Sequence, residues 1–568
     1  MPSVQPSSDT PPEPERNALK RYGPLAAILV VIALVAGASI VMSGDDDEGG
    51  DEETDDGSDV AAESYPEGVV TWNMAQDDPS LAAEFPDTCD QETGKVAIPF
   101  FFAPECTAIA EPTPGSPVDG ITEDTIKVVL WVPNENDVIF SFIKQALGFD
   151  DTIEEWKETQ LGLVEIFQSY YNTYGRQVEV EFIEASGSMT DSVAARADAV
   201  KAAAMKPAAV LGGPLLANVW TQELHNQGII CVACPGIEDP APTSFGLVAS
   251  EKQLNTHSLN YVTTKLQDKP VEFAGDELNG EDRVFAQMTL AQNENTRENA
   301  ELLKGDLEEA GVDVVKDYAF ELNLGGAAEF ATSAVTEMKE AGVTTVLTRS
   351  DPITMGDISR EATKQDWFPE WVMLAPQLLD TNAGAGLVDP EQWRHAFGIS
   401  YLPPASEPKL NPAYKLYEWY HGEPPPADGS LLLTYPQIAL FFTGLHLAGP
   451  DPTQENTRQA AFAFPPTPRA RTQPSVNYGT ELWDGDVDYQ GIDDLVELWY
   501  DPDVEIVDEF GNPRTGAYQY VDGARRYYAD EWPEELKVFD PAGAITRITE
   551  PPPEEAVPDY PSPAGGGG

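Results

Sequence analysis

The sequence predicts an α/β protein with two parallel sheets, and three observations carry that prediction. The first is residues 194–236, which read AARADAVKAAAM, AAVLGGP, VWTQELHNQG and GIICVACPG, a helix, strand, helix and strand with almost no spare loop. Val193, Ala197, Val200 and Ala204 recur at helical steps, whereas Val210, Leu211 and residues 229–232 form short apolar runs closed by Gly or Pro. The second is that two strand-like runs, TIKVVLWVPN and VEVEFIEA, precede this unit and complete a four-stranded sheet. The third is that the alternation restarts after Gly246. Parallel strands need crossover helices, and ligands of such sheets collect outside the carboxyl ends of the strands. Those ends are residues 212–218 and 234–239 here.

Length and composition fit that architecture. With its ends trimmed, a chain of 568 residues can bury two cores. Its 97 acidic against 33 basic residues, a net charge of −64, oppose binding to phosphate backbones, so no nucleic-acid partner is expected. Aromatics at 9% and hydrophobics at 41% place the acidity on a folded surface rather than on a disordered chain.

In chain order, residues 1–22 form a tail containing Arg16, Lys20 and Arg21. Residues 25–42 are an almost uninterrupted apolar run without a charge, the centre of a transmembrane helix over residues 23–43, and Asp45, Asp46, Asp47 and Glu48 follow. Positive residues before and acidic residues after predict a cytoplasmic tail, a single pass through the cell membrane and an extracellular body. A cleaved signal peptide is the alternative, because Ala36, Gly37, Ala38 and Ser39 are small, but the apolar run continues through Ile40, Val41 and Met42. No cysteine follows the run for lipid attachment. Residues 44–64, rich in Asp, Glu and Gly, read as a flexible tether. Residues 65–120 form a Pro-interrupted extension in which Cys89 and Cys106 most simply pair, given an oxidising compartment. The five histidines begin at His225 and are scattered, so neither a metal site nor a cofactor is expected.

The first strand is expected to expose Trp131, Asn134 and Asn136 at its end, with a helix over residues 156–174 and a second strand over residues 178–185 following. After Gly246 the sequence predicts a helix over residues 254–266, strand VEFAGDE, a long helix ending before Gly311 and strand VVKDYAFEL. A helix over residues 330–341 and strands TTVLTRSD and WVMLAPQ complete the second sheet. Residues 435–449 are dense enough in apolar residues for a buried helix, and Pro436 and Gly444 break them too much for a second span. Residues 501–533 read as hairpin material, VEIV and GAYQYV about the turn DEFGNP, and residues 546–568 as a disordered tail.

No motif argues for an enzyme. Cys231 and Cys234 form CVAC, but redox pairs start a helix, whereas Pro235 and Gly236 turn the chain, leaving a structural bridge or two thiols. LGGP lacks the Gly-Lys-Ser/Thr of a phosphate loop, and neither a Gly-x-Ser-x-Gly elbow nor a His-Glu-x-x-His pair is present.

From about residue 121 to residue 533 the order of elements resembles the type I periplasmic binding proteins of the Leu/Ile/Val-binding kind, solute-capturing partners of ABC importers. The pieces that carry the resemblance are VEVEFIEA, AAVLGGP, GIICVACPG and TYPQIALFFTGLHLAGPDPTQENTRQA, in that order. CDQETGKVAIP is similar to an extension on long actinobacterial members. The resemblance implies two Rossmann-like lobes joined by three crossovers, near residues 248–251, 399–403 and 480–491. Lobe 1 would comprise residues 121–249 and 403–485, and lobe 2 residues 250–402 and 486–545. It implies a small ligand in the cleft and ABC permease and ATPase partners, and the amides and charges at the strand ends predict a polar ligand, an amino acid, amide or similar.

In the family's amino-acid binders, hydroxyls and amides after the third and fourth strands hold the ligand carboxylate, and acidic and aromatic groups of the second lobe hold its ammonium. This chain departs from that pattern. It offers Pro214, Leu215, Leu216 and Asn218 after the third strand, and Cys234, Pro235 and Gly236 after the fourth. The ligand-binding residues expected are Trp131, Asn134, Asn218, Cys234 and Pro235 on lobe 1, and Asp276, Glu277, Arg349, Ser350 and Asp351 on lobe 2. A sensory or adhesive ectodomain on the same fold is the alternative function. A tail of about twenty residues before the span has no room for a signalling domain, which favours transport.

Overall fold

The computed structural model describes residues 64–81, 83–111, 119–137, 140–141, 144, 150–189, 191–214, 217, 219–234, 243–291, 294–321, 326–376, 378–406, 408–479, 487–507 and 513–565. The expected tail, span and tether before residue 64, together with Asn218 and Pro235, lie outside the described residues. Among the described residues no helix is long and apolar enough to cross a membrane.

The extension carries helix α1 (Trp72–Asp77), capped by Thr71, and a hairpin of β1 (Cys89–Asp90) and β2 (Lys95–Val96). The Cys89–Cys106 disulfide closes it, as the sequence leads one to expect. A buried histidine helps dock it: His446 Nδ1 accepts from Asn172 N–H at 2.8 Å and Nε2 lies 2.8 Å from Glu105 O. Burial holds that imidazole neutral, its pKa lowered to about 4.

The first sheet contains β3 (Thr125–Val132), β4 (Gln177–Glu184), β5 (Ala209–Leu211), β6 (Ile230–Val232) and β7 (Ser244–Phe245), all parallel in the order β4-β3-β5-β6-β7. Helices α2 (Ile153–Tyr170), α3 (Ser192–Ala204) and α4 (Val219–Asn226) supply the crossovers. A capping box between Thr152 and Glu155 starts α2, and the Asp191 carboxylate starts α3. The two faces of β3 divide the core: Val128 and Leu130 pack with Phe167, while Val129 and Trp131 pack with Trp156 and Trp220.

The second sheet repeats the plan with β8 (Phe285–Leu290), β9 (Val314–Phe320), β10 (Thr345–Arg349), β11 (Glu370–Leu374) and β12 (Ala396–Ser400), parallel in the order β9-β8-β10-β11-β12. Helices α5 (Glu251–Lys265), α6 (Glu294–Glu309), α7 (Ala327–Glu340), α8 (Pro352–Lys364), α9 (Asn382–Ala385) and α10 (Pro390–Trp393) accompany it. The chain then passes through β13 (Ala405–Ser406) back to the first lobe, where α11 (Pro412–His421), α12 (Leu431–Ala448) and α13 (Gln454–Ala463) follow. α12 is core, with Ile438 and Phe442 in the cluster that holds Phe167. A third passage leads to β14 (Leu495–Val507), antiparallel to β12, then β15 (Pro513–Tyr520), β16 (Arg526–Tyr527) and β17 (Arg547–Ile548), which pairs with β13.

Three expectations are corrected. VEFAGDE is not a strand: the Glu370 carboxylate accepts from the amides of Glu272 and Phe273, and Gly275 N–H donates to Phe368 O, so these residues loop past the amino end of β11. The strand that opens the second sheet is β8. Beyond residue 545 the chain is not without structure. Glu555 accepts from the amides of Arg471 and Thr472 and from Thr472 Oγ1, Trp419 Nε1 donates to Tyr560 O, and Tyr560 OH donates to Asp90 Oδ2. The second sheet is also larger than expected, gaining β12 and a much longer β14.

Candidate functional site

Both sheets have the order second-first-third-fourth, so each reverses winding beside its first strand, between β3 and β5 and between β8 and β10. Crevices outside the carboxyl ends at such points are where open α/β sheets take ligands. The exits there are Pro133 and Asn134 after β3, Gly212 and Gly213 after β5, Ala291 after β8, and Ser350 and Asp351 after β10. Residues 246–250 alone join the carboxyl end of β7 to the start of α5. That start lies at the carboxyl end of the second sheet, because Arg349 at the end of β10 bonds Glu251, Asn255 and Ser258. The two sets of exits therefore flank one interlobe region.

On the first lobe the expected residues that are described, Trp131, Asn134 and Cys234, are each engaged by the fold. Trp131 is 6% exposed and sits in the cluster with Phe140, Trp156 and Met189. Asn134 donates Nδ2–H to Ala185 O at 3.1 Å and accepts from Asn136 N–H at 2.8 Å, tying the β3 and β4 exits together. Cys234 is bridged to Cys231, which settles the CVAC motif as a disulfide. Its sulfur lies 3.1 Å from Gly212 O with no hydrogen to donate, and the Trp220 indole caps that carbonyl at 3.1 Å.

On the second lobe the outcome differs residue by residue. Asp276 and Glu277 lie in the loop before β8, beside the amino end of β11, so they are not at the carboxyl ends and leave the candidate site. Arg349 is at the right end but committed: besides Glu251 at 3.2 Å, Asn255 at 2.7 Å and Ser258 at 2.8 Å, it donates to Leu374 O at 3.1 Å. Burial lowers its pKa and Glu251 opposes that. Ser350 is fully buried. Asp351 caps α8, its Oδ1 accepting from Ile353 N–H at 2.9 Å and Thr354 N–H at 2.8 Å, while buried Oδ2 has no hydrogen-bond partner among the described residues. Burial raises the Asp351 pKa, opposed first by hydrogen bonds from the Thr354 amide and hydroxyl and then by that from the Ile353 amide.

Sequence reasoning missed Asp380 and Tyr401. Ser400 Oγ donates to Asp380 Oδ2 and accepts from Leu402 N–H at 2.9 Å. The half-buried Tyr401 phenol is pushed up by desolvation, then by Asp380 and Glu251. Asp380 stands six residues past the end of β11, and nothing in LLDT announces that its partner is Ser400 at the next strand's end.

No family model matches the chain, and no curated protein does. Solved structures similar to it include ABC transporter substrate-binding proteins. One is from Aeropyrum pernix, 12% identical, with a TM-score of 0.45, covering 72% of this chain and 97% of that one. A fatty acid ABC transporter substrate-binding protein from Thermomonospora curvata is 14% identical, with a TM-score of 0.45, covering 76% of this chain and 99% of that one. The closed leucine-, isoleucine-, valine-, threonine- and alanine-binding protein from Brucella ovis is 11% identical, with a TM-score of 0.46, covering 76% and 100%.

Proposed function

We propose that this chain is an extracytoplasmic solute-binding receptor of an ABC-type importer, held at the cell membrane by residues 25–42 and capturing a small polar metabolite between its lobes. The observation that carries the reading is the pair of equally wound sheets whose carboxyl ends are joined by a five-residue crossover, residues 246–250. Two lobes sharing a hinge can close on what lies between them, and a ligand touching both stabilises the closed form by its differential affinity. The apolar length of residues 25–42 and their flanking charges support the anchor. Permease and ATPase partners follow from the receptor reading.

A thermal-shift screen over amino acids, amides, amines, organic acids and sugars tests the receptor. At least one compound class is expected to raise the melting temperature, as binding to the folded state alone requires. A screen without any shift would shift the assignment to a sensory or adhesive ectodomain. Membrane fractionation tests the anchor: a mature chain beginning near Ser39 in the soluble fraction would contradict it.

A further inference from the structure

We propose that residues 546–563 are a fourth connection between the lobes, a stiff strap that restrains their motion relative to one another. The strap needs only the two lobes and the passages between them, and is independent of what the receptor binds. Its root is firm on the second lobe. Trp532 and Val538 pack with Val372 and Phe397, and Tyr520 and Ile545 exchange backbone hydrogen bonds at 2.7 and 3.1 Å. Thr546 Oγ1 then donates to Gln519 Oε1 at 3.0 Å. β17 follows, parallel to β13 on the second passage between the lobes, so this crossover is a two-stranded ribbon. Next, Glu555 accepts from the amides of Arg471 and Thr472 at 2.7 and 3.2 Å. The far end is held on the first lobe: Trp419 Nε1 donates to Tyr560 O at 2.8 Å, and Ser562 Oγ donates to Trp419 O. Trp419 stands on α11, whose Tyr414 and Leu416 lie in the first lobe's core.

The composition of the strap makes it a spacer rather than a slack tail. Pro551, Pro552 and Pro553 are consecutive, and Pro558, Pro561 and Pro563 follow. Pro552, at φ −57° and ψ 136°, and Ala556, at φ −63° and ψ 131°, are extended in the polyproline manner, which transmits a displacement instead of absorbing it. Its far end also grips a stapled element: Tyr560 OH donates to Asp90 Oδ2 at 2.8 Å, next to the Cys89–Cys106 bridge. A hinge made of single chains turns by changing a few backbone dihedrals. Here the first and third passages are bonded to each other, Gly246 N–H donating to Tyr489 O at 2.9 Å and Gly491 N–H to Gly246 O at 3.1 Å. β17 gives the second passage a companion as well. A change of interlobe angle must therefore bend this ribbon or loosen a hold at one end of the strap.

Spin labels on Val193→Cys of α3 and Leu302→Cys of α6, both exposed positions, read the spacing of the lobes with no solute added. In the full chain, Pro551→Gly, Pro552→Gly and Pro553→Gly together with Glu555→Ala soften the strap and leave it held only at its ends. The distance distribution should become wider than the parent's, while the melting temperature stays where it was. A distribution that superimposes on the parent's overturns the proposal. Should the softened chain melt early, Tyr560→Ala with Ser562→Ala, which loosens the far end instead, decides in the same way: widening supports the strap and superposition overturns it. A blank solute screen would remove the receptor reading and leave this result untouched. Superimposed distributions would remove the strap and leave the receptor reading standing.

Discussion

At the scale of the residue, Arg349 shows how a strand-end charge is divided between fold and ligand. Its guanidinium pins α5 to the end of β10, so Arg349→Ala would strand Glu251, Asn255 and Ser258 in a largely buried setting. The expected loss is about 3 kcal/mol of folding stability, read by urea denaturation. A change of a few tenths would mean the network is solvated. Asp488, near the hinge, accepts from Gln253 Nε2 at 2.7 Å and Gln490 N–H at 2.7 Å, and burial pushes its pKa up to about 7. In the unfolded chain such a carboxyl titrates near 4. The folded state therefore holds an extra proton between those values, so this group's contribution to stability falls as pH rises from about 4 to about 7 and is level above. Asp488→Asn should gain on the parent by at most ~4 kcal/mol between pH 4 and pH 8. Parallel urea curves for the two proteins across that range would rule this out. The sequence shows the charge of Arg349 and of Asp351, but not the partners that decide their roles. Three of the four for Arg349 lie on a helix more than ninety positions earlier.

At the scale of the element, the parallel strands with continuous apolar runs were legible, and those with polar buried residues were not. β8 reads FAQMTL, and its Gln287 and Thr289 suggest a half-exposed segment, yet every residue in it is buried. Gln287 Nε2 donates to Ala300 O at 2.9 Å, a partner on α6 that no periodicity reveals. VEFAGDE was the better pattern and the wrong strand, because Glu370 captures its amides from a distant strand. The carboxyl-terminal segment hides in the same way, since it lacks periodicity and owes its order to Glu555 and Tyr560 finding residues 471–472, 419 and 90. Ending the chain at Glu550 should expose Trp419 and redden its fluorescence while both lobes stay folded. It should also speed amide exchange at Arg471 and Thr472. Unaltered exchange there would show that the segment does not dock in solution. The Cys89–Cys106 bridge closes a separation of 17 residues, so Cys89→Ser with Cys106→Ser should cost on the order of 3 kcal/mol. That loss should register as early melting of the extension, and unchanged calorimetric melting would mean that docking through His446 suffices without the bridge.

At the scale of the whole molecule, the alternation of helix and strand announced two sheets, and their shared winding order places a crevice in each. What the sequence could not show is that the crevices adjoin. That follows from the five-residue link between β7 and α5 and from Arg349 reaching the first turns of α5. The central claim is that these lobes close on a small solute. All four cysteines are bridged, so single thiols can be added for labelling. Val193 on α3 is 82% exposed and Leu302 on α6 is 59% exposed, which makes Val193→Cys and Leu302→Cys suitable label positions, one on each lobe. The deciding measurement is the spin-label distance between them, without solute and with a saturating amount of the compound that most raises the melting temperature. The account predicts a shorter and narrower distance distribution with the compound bound. An identical distribution in the two conditions, with binding confirmed by the melting shift, would contradict it.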